Sequence, residues 1–144
     1  MYGFTTTLTD TSFEQALART VDALKSEGFG VLSEIDVQAA LQDKLGLAML
    51  PYRILGACKP TLAHQALQAT PDIGLLLPCN VIVREASPGH IVVGFLDPQI
   101  MVRLVGSMVG PELQAVADAA EQHLRRQEIN QRGGCDNMTI LTVK

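Results

Sequence analysis

Apolar positions in the first part of the chain change from helical spacing to strand alternation. Apolar residues from Phe13 to Leu24 recur every three or four positions before Gly28, which predicts a helix. Thr11 is expected to cap this helix, with Glu14 completing a capping box. The next segment alternates and predicts a strand, with Val31, Ser33, Ile35 and Val37 on one face and Leu32, Glu34 and Asp36 on the other.

The same two patterns continue along the rest of the chain. They predict strands over Tyr2–Leu8, Tyr52–Cys58, Leu75–Arg84 and His90–Leu96. They predict helices ending at Leu45, over Thr61–Gln68, after Asp97 and Pro98, and over Leu113–Leu124. Pro88 and Gly89 lie between the last two strands and predict a hairpin.

This order of elements predicts the fold class. A strand, a long helix, several strands with short helices and a final long helix are typical of a single α+β domain. The alternating strands favour an antiparallel β-sheet with helices packed on one face. We assign residues 1–126 to this domain and residues 127–144 to a C-terminal extension, where Met138, Ile140 and Leu141 indicate an added strand.

Composition excludes several classes of function. The chain has 144 residues, 47% of them hydrophobic, and a net charge of −4 with acids and bases scattered along it. Nucleic-acid binding is not expected, because it requires basic residues gathered on one face. The chain lacks a signal-peptide pattern and any apolar run long enough to span a membrane. Three irregularly spaced cysteines do not form a disulfide framework, so we expect a cytoplasmic protein with reduced thiols.

One long segment carries a family resemblance. The run YRILGACKPTLAHQALQATPDIGLLLPCNVIV, together with MYGFTTTL and EGFGVLSEIDV, resembles the domain of unknown function 302 family over about residues 1–125. The motifs G-A-C-x-P and L-P-C-N carry most of this resemblance. It implies an α+β fold of the TATA-binding-protein-like kind and a homodimer. It does not indicate a particular activity, because the family is named for lacking one, and the cofactor is unknown.

The same segment contains the candidate site. Cys58 and Cys79 each lie close to a proline on two predicted strands, and Asn80 and Arg53 are polar residues of the same strands. Residues of this kind weaken apolar strands, which indicates a compensating role. We therefore predict a small-molecule pocket formed by Arg53, Cys58, Cys79 and Asn80, with Arg53 or Asn80 orienting a polar ligand.

Structural interpretations of these residues remain open. A free cysteine often behaves as a small buried hydrophobe. Both cysteines can therefore also be interpreted as core residues without a role in a site. Arg53 is the expected partner of Glu34 if their strands pair, and Asp36 is expected to cap the following helix. A zinc site is not predicted, because no closely spaced cysteine pair is present.

Three hypotheses for function follow. The first is a non-enzymatic cytosolic binding or accessory domain that forms a homodimer and holds a small ligand. The second is a redox, sulfur-carrier or enzymatic function that uses the thiol of Cys58 or Cys79, which requires an accessible thiol of low pKa. The third is a structural or interaction protein with the C-terminal strand in a dimer contact.

Overall fold

Five strands and five helices make up the part of the chain that the computed structural model describes, residues 2–105 and 111–133. The strands are β1 (Gly3–Thr9), β2 (Gly30–Asp36), β3 (Tyr52–Cys58), β4 (Cys79–Ser87) and β5 (His90–Leu96). The helices are α1 (Phe13–Ser26), α2 (Val37–Leu45), α3 (Pro60–Ala69), α4 (Gln99–Val105) and α5 (Pro111–Gly133). A short 3₁₀ helix spans Pro71–Leu76 between α3 and β4.

The strands form one antiparallel sheet in the order β1-β5-β4-β3-β2. Because β1 and β2 are the two edges, α1 has to cross the sheet to connect them. The main core contains apolar residues of α1 and α5 together with those of the strands beneath, such as Leu24, Leu124, Leu55, Val81 and Val93. A second cluster joins α3, the 3₁₀ helix and α5. The predicted α+β fold with an antiparallel sheet is confirmed.

The N-terminal end of α1 differs from the sequence prediction. Ser12, not Thr11, is the N-cap, and its hydroxyl accepts a hydrogen bond of 3.1 Å from the backbone N–H of Gln15. Gln15, not Glu14, completes the capping box with its own side chain. The helix begins one residue later than predicted, so each capping residue is the one that follows the predicted residue in the sequence.

A β-bulge changes the predicted faces of β2. Val31 pairs with Ala57, and Ser33 pairs with Gly56, the residue next to Ala57 on β3. A step of two residues on β2 therefore matches a step of one residue on β3. The extra residue, Leu32, turns the strand by one position. Val31 therefore packs against the core while Ser33 lies on the opposite face, and the prediction that they share a face was wrong.

The predicted strand over Leu75–Arg84 was wrong in its first part. The 3₁₀ helix buries Ile73 and leaves Leu75 90% exposed, and β4 begins only at Cys79. A short apolar run cannot distinguish a strand from a helical turn by periodicity. Here Pro71 at the first position of the 3₁₀ helix favours the turn.

The C-terminal part of the chain is helical beyond the predicted boundary. Helix α5 passes through residue 126 and continues to Gly133. The predicted added strand, with Met138, Ile140 and Leu141, lies outside the described residues. Among the described helices, none has the length and apolarity needed to cross a membrane.

Candidate functional site

A cavity of about 300 Å³ lies where β3 ends and β4 begins, beneath α3 and α5. Antiparallel pairing places Ala57 opposite Cys79, and this end of the sheet forms one wall. The helices supply the other walls with Leu62, Ala63, Ala66 and Leu67 of α3 and Val116 and Ala120 of α5. The cavity is thus bounded by residues distant in sequence that only the tertiary fold brings together.

The wall of this cavity is almost entirely apolar. Apart from the thiols of Cys58 and Cys79, Lys59 has the only polar side chain among the described residues that line it. Two apolar side chains of the lining are well exposed to solvent, Leu32 at 70% and Leu67 at 40%. Such a surface favours an apolar molecule over water, because apolar walls offer water few hydrogen-bond partners.

Lys59 connects the end of β3 to the start of α3. It is the N-cap residue of α3, with extended backbone angles, and Pro60 follows at the first helical position. Its ammonium donates to the backbone carbonyl of Glu27 and to Nε2 of His123, both at 3.0 Å. Its Nζ also lies 5.9 Å from the centre of the buried Phe29 ring, which lines the cavity.

These contacts belong to a polar cluster formed by Glu27, Lys59, His123 and Arg126. An ammonium can only donate, so Nε2 of His123 accepts and its Nδ1–H is free to donate to Oε1 of Glu27, at 2.9 Å. Arg126, one turn further along α5, donates through Nη2 to the same oxygen at 3.1 Å. The cluster therefore connects the end of α1 to α5 and to the β3–α3 junction.

Opposing effects act on the pKa of Glu27. Burial raises the pKa of its carboxyl, but hydrogen bonds from His123 and Arg126 and the positive charge of Arg126 lower it. The net result is a pKa below the ordinary value of 4.5. The ionised carboxylate is thus more stable in the folded protein than in the unfolded chain.

We expect Glu27→Gln to remove an acid-sensitive part of the stability. Because the folded pKa is lowered, the stabilisation is fully present above 4.5 and is lost as the pH falls through the folded pKa. Melting temperatures of the wild type and the variant, measured from neutral to acidic pH, should differ most at neutral pH and converge in acid. Asp43→Asn, at an exposed position of α2, is the control and should keep the wild-type pH dependence. A difference that is constant with pH would contradict this assignment.

Cys58 and Cys79 both line the cavity. Cys58 is half-buried at the end of β3, and Cys79 is buried at the start of β4. Burial raises the pKa of the Cys58 thiol, and burial together with the charge of Cys58 raises the pKa of Cys79 to about 11. Both thiols are therefore protonated at neutral pH, which argues against an activated nucleophile.

Alkylation of the native protein should accordingly be slow at both positions. We expect Cys58 to react with an apparent pKa above about 8.5, the reference for a free cysteine, and Cys79 to react only after unfolding. Peptide-resolved mass spectrometry after iodoacetamide treatment at a series of pH values measures both rates. Rapid alkylation of Cys58 at pH 6 would contradict the geometry and favour a thiol-dependent function.

Arg53 lies away from the cavity, near the opposite end of β3. It lies five positions before Cys58 on the strand, about 16 Å away at the usual rise per residue. Its guanidinium forms ion pairs with Glu34 and, at 3.3 Å, with Asp36. The predicted Arg53–Glu34 pair is confirmed, and so is the capping of α2 by Asp36, which accepts from Ala39 at 2.9 Å.

Asn80 lies on the opposite face of the sheet from Cys79. It is exposed and pairs with Gly56, which has no room for a side chain because a Cβ atom there would lie 2.8 Å from Cγ of Pro78. Of the four predicted site residues, the structure therefore brings together Cys58 and Cys79 and separates Arg53 and Asn80 from them. Ligand binding by any of the four stays a prediction.

Comparison with known proteins agrees with this architecture. The family model described as domain of unknown function DUF302 matches residues 4–129. The chain belongs to the DUF302 family. It is 30% identical to a protein of Bacillus stearothermophilus whose crystal structure is described as that of an uncharacterized conserved protein DUF302. The two structures superimpose with a TM-score of 0.78, over 90% of this chain and 97% of that one. No curated protein matches the chain.

The DUF302 match includes every residue of the cavity and of the polar cluster. Sequence reasoning missed this cluster, because Glu27, Lys59 and His123 lie on three separate elements with no common spacing. The one local signal was the i, i+3 spacing of His123 and Arg126 on α5. Among the described residues, no group of three or more histidine, cysteine or acidic side chains is placed to hold a metal ion.

Proposed function

We propose that the chain is a non-enzymatic domain that binds a small, largely apolar ligand in the cavity between the end of the sheet, α3 and α5. The observation that carries this proposal is the cavity itself, about 300 Å³ with Lys59 as the only charged side chain among its described lining residues. Binding sites for small molecules are typically concave, mainly apolar and provided with few polar groups. Each Å² of apolar ligand surface removed from water contributes about 25 cal/mol.

The exposed part of the lining supports the same proposal. Leu32 at the bulge of β2 and Leu67 on α3 are apolar side chains in contact with both solvent and the cavity. A ligand that fills the cavity would cover part of their surface and gain hydrophobic stabilisation there. The raised pKa of both thiols favours this binding function over the thiol-dependent alternative.

Titration with 1-octanol, observed through the backbone amide resonances, tests the proposal. We expect saturable chemical-shift changes at Ala57, Leu62, Ala66 and Val116, which surround the cavity. Thr5 on the other face of the sheet serves as an internal control and should not shift. No saturable change at the cavity up to the solubility limit of octanol would refute the proposed function.

We further propose that the protein is a homodimer that uses the sheet face opposite the main core. Ile35, Ile54 and Ile82 are register neighbours on β2, β3 and β4 and form an apolar stripe on this face. Ile35 is 51% exposed, which leaves part of the stripe open to solvent. A second copy that presents the same stripe would bury it symmetrically.

The unpaired thiols of Cys58 and Cys79 support a cytoplasmic setting, where thiols are kept reduced.

Ile35→Glu should therefore shift the protein towards monomer. In the symmetric contact, the new carboxylate would lie close to the same carboxylate of the second copy and would lose its hydration. In the monomer, the carboxylate stays hydrated, because residue 35 is exposed on an edge strand. Sedimentation velocity measures the change, and Leu104→Glu, an exposed position on α4, is the control. If Ile35→Glu remains a dimer, the contact lies elsewhere and this proposal fails.

A further inference from the structure

Lys59 carries a positive charge that no described carboxylate neutralises directly. The two acceptors of its ammonium are the backbone carbonyl of Glu27 and the imidazole Nε2 of His123, and both are uncharged groups. The carboxylate of Glu27 is instead bound by His123 and Arg126. The imidazole of His123 is neutral, so the charged groups of the cluster are Lys59, Arg126 and the carboxylate of Glu27. Their sum is one positive charge.

The ammonium also retains a donor. Lysine has three N–H donors, and two of them are used in the cluster. Within the described part of the chain, no acceptor engages the third. The two existing bonds fix Nζ at 5.9 Å from the ring centre of Phe29, and both Lys59 and Phe29 belong to the cavity lining.

We infer that the ligand of this cavity is an amphiphilic monoanion, with its apolar body among α3 and α5 and its anionic head group, such as a carboxylate, on the ammonium of Lys59. The inference rests on the proposed function and specifies its ligand class. The cavity limits the size of that ligand, since about 300 Å³ accommodates roughly ten non-hydrogen atoms at about 30 Å³ each. A saturated chain of about eight carbons with one charged end meets both requirements.

A charge-assisted contact inside an apolar site should discriminate strongly between head groups. The ammonium attracts a carboxylate more strongly than a hydroxyl, and it repels a second ammonium. The surrounding apolar wall screens these interactions less than water does. Ligands with the same alkyl chain gain the same hydrophobic stabilisation in the cavity. Differences in affinity among them therefore report the interaction of the head group with Lys59.

Calorimetric titrations with octanoate, octyl sulfate, 1-octanol and octylamine test this inference. For the wild type we expect both anions to bind at least about tenfold more tightly than 1-octanol, and octylamine to bind most weakly. The order of octanoate and octyl sulfate distinguishes carboxylates from sulfate-like head groups. Lys59→Met should remove most of the preference for the two anions over 1-octanol.

Two further variants separate charge from folding. Lys59→Arg keeps the charge and should retain the preference for anions, and Lys44→Met, at an exposed position on α2, should behave as the wild type. If the wild type binds octanoate and 1-octanol equally, the inference is overturned while the proposed cavity function stands. If none of the four compounds binds, the proposed function fails and the inference fails with it.

Discussion

Replacing Leu124 with alanine is expected to lower the free energy of unfolding by about 2–5 kcal/mol. The side chain of Leu124 on α5 is fully buried, at 0% exposure, in the main core that α5 shares with α1 and the sheet. Its truncation loses hydrophobic transfer free energy and leaves a void that the surrounding strands cannot close. The loss is a large fraction of the 5–15 kcal/mol typical of a whole domain.

Urea unfolding followed by circular dichroism measures this effect. Leu104→Ala is the matched control, because Leu104 lies on α4 with 66% of its surface exposed and should change stability by no more than about 0.5 kcal/mol. Equal stabilities of the two variants would contradict the packing of α5 against the sheet. Since α5 also forms one wall of the cavity, that outcome would weaken the proposed site as well.

Ala63→Phe should weaken the binding of 1-octanol by about tenfold or more, equivalent to about 1.4 kcal/mol. Ala63 lines the cavity from α3 and is only half-buried, so a larger side chain can extend into the open space without replacing core atoms. The added ring would take up much of a space that holds roughly ten non-hydrogen atoms. The ligand and the ring therefore compete for the same volume.

Ala69→Phe provides the control for this experiment. Ala69 is the last residue of α3, is exposed, and does not line the cavity. The same substitution on the same helix should leave the affinity for 1-octanol unchanged in a calorimetric titration. Unaltered binding by Ala63→Phe would place the octanol site elsewhere on the protein.

Local signals in the sequence were sufficient for much of the fold. The alternation over Tyr52–Cys58 matches β3, and the Pro88-Gly89 turn joins β4 to β5 as predicted. The Arg53–Glu34 pair followed from two neighbouring strands with opposite charges. The bulge at Leu32 was not predictable, because it inserts one residue without any turn motif.

The candidate site was predictable only in part. Cys58 and Cys79 were found because both lie in short motifs beside prolines, and the cavity does contain them. Lys59 stood next to Cys58 in the same motif, but its partners Glu27 and His123 are 32 and 64 residues away in sequence. Contacts over such separations depend on how α1 and α5 cross the sheet, and a single sequence does not encode that in any local pattern.

A crystal structure of the protein soaked with octanoate would show directly where such a ligand binds. We expect electron density for the alkyl chain between α3 and α5, in contact with Ala66 and Val116, with the carboxylate at hydrogen-bond distance from Nζ of Lys59. A cavity filled by its own side chains, or octanoate bound only elsewhere on the surface, would contradict it.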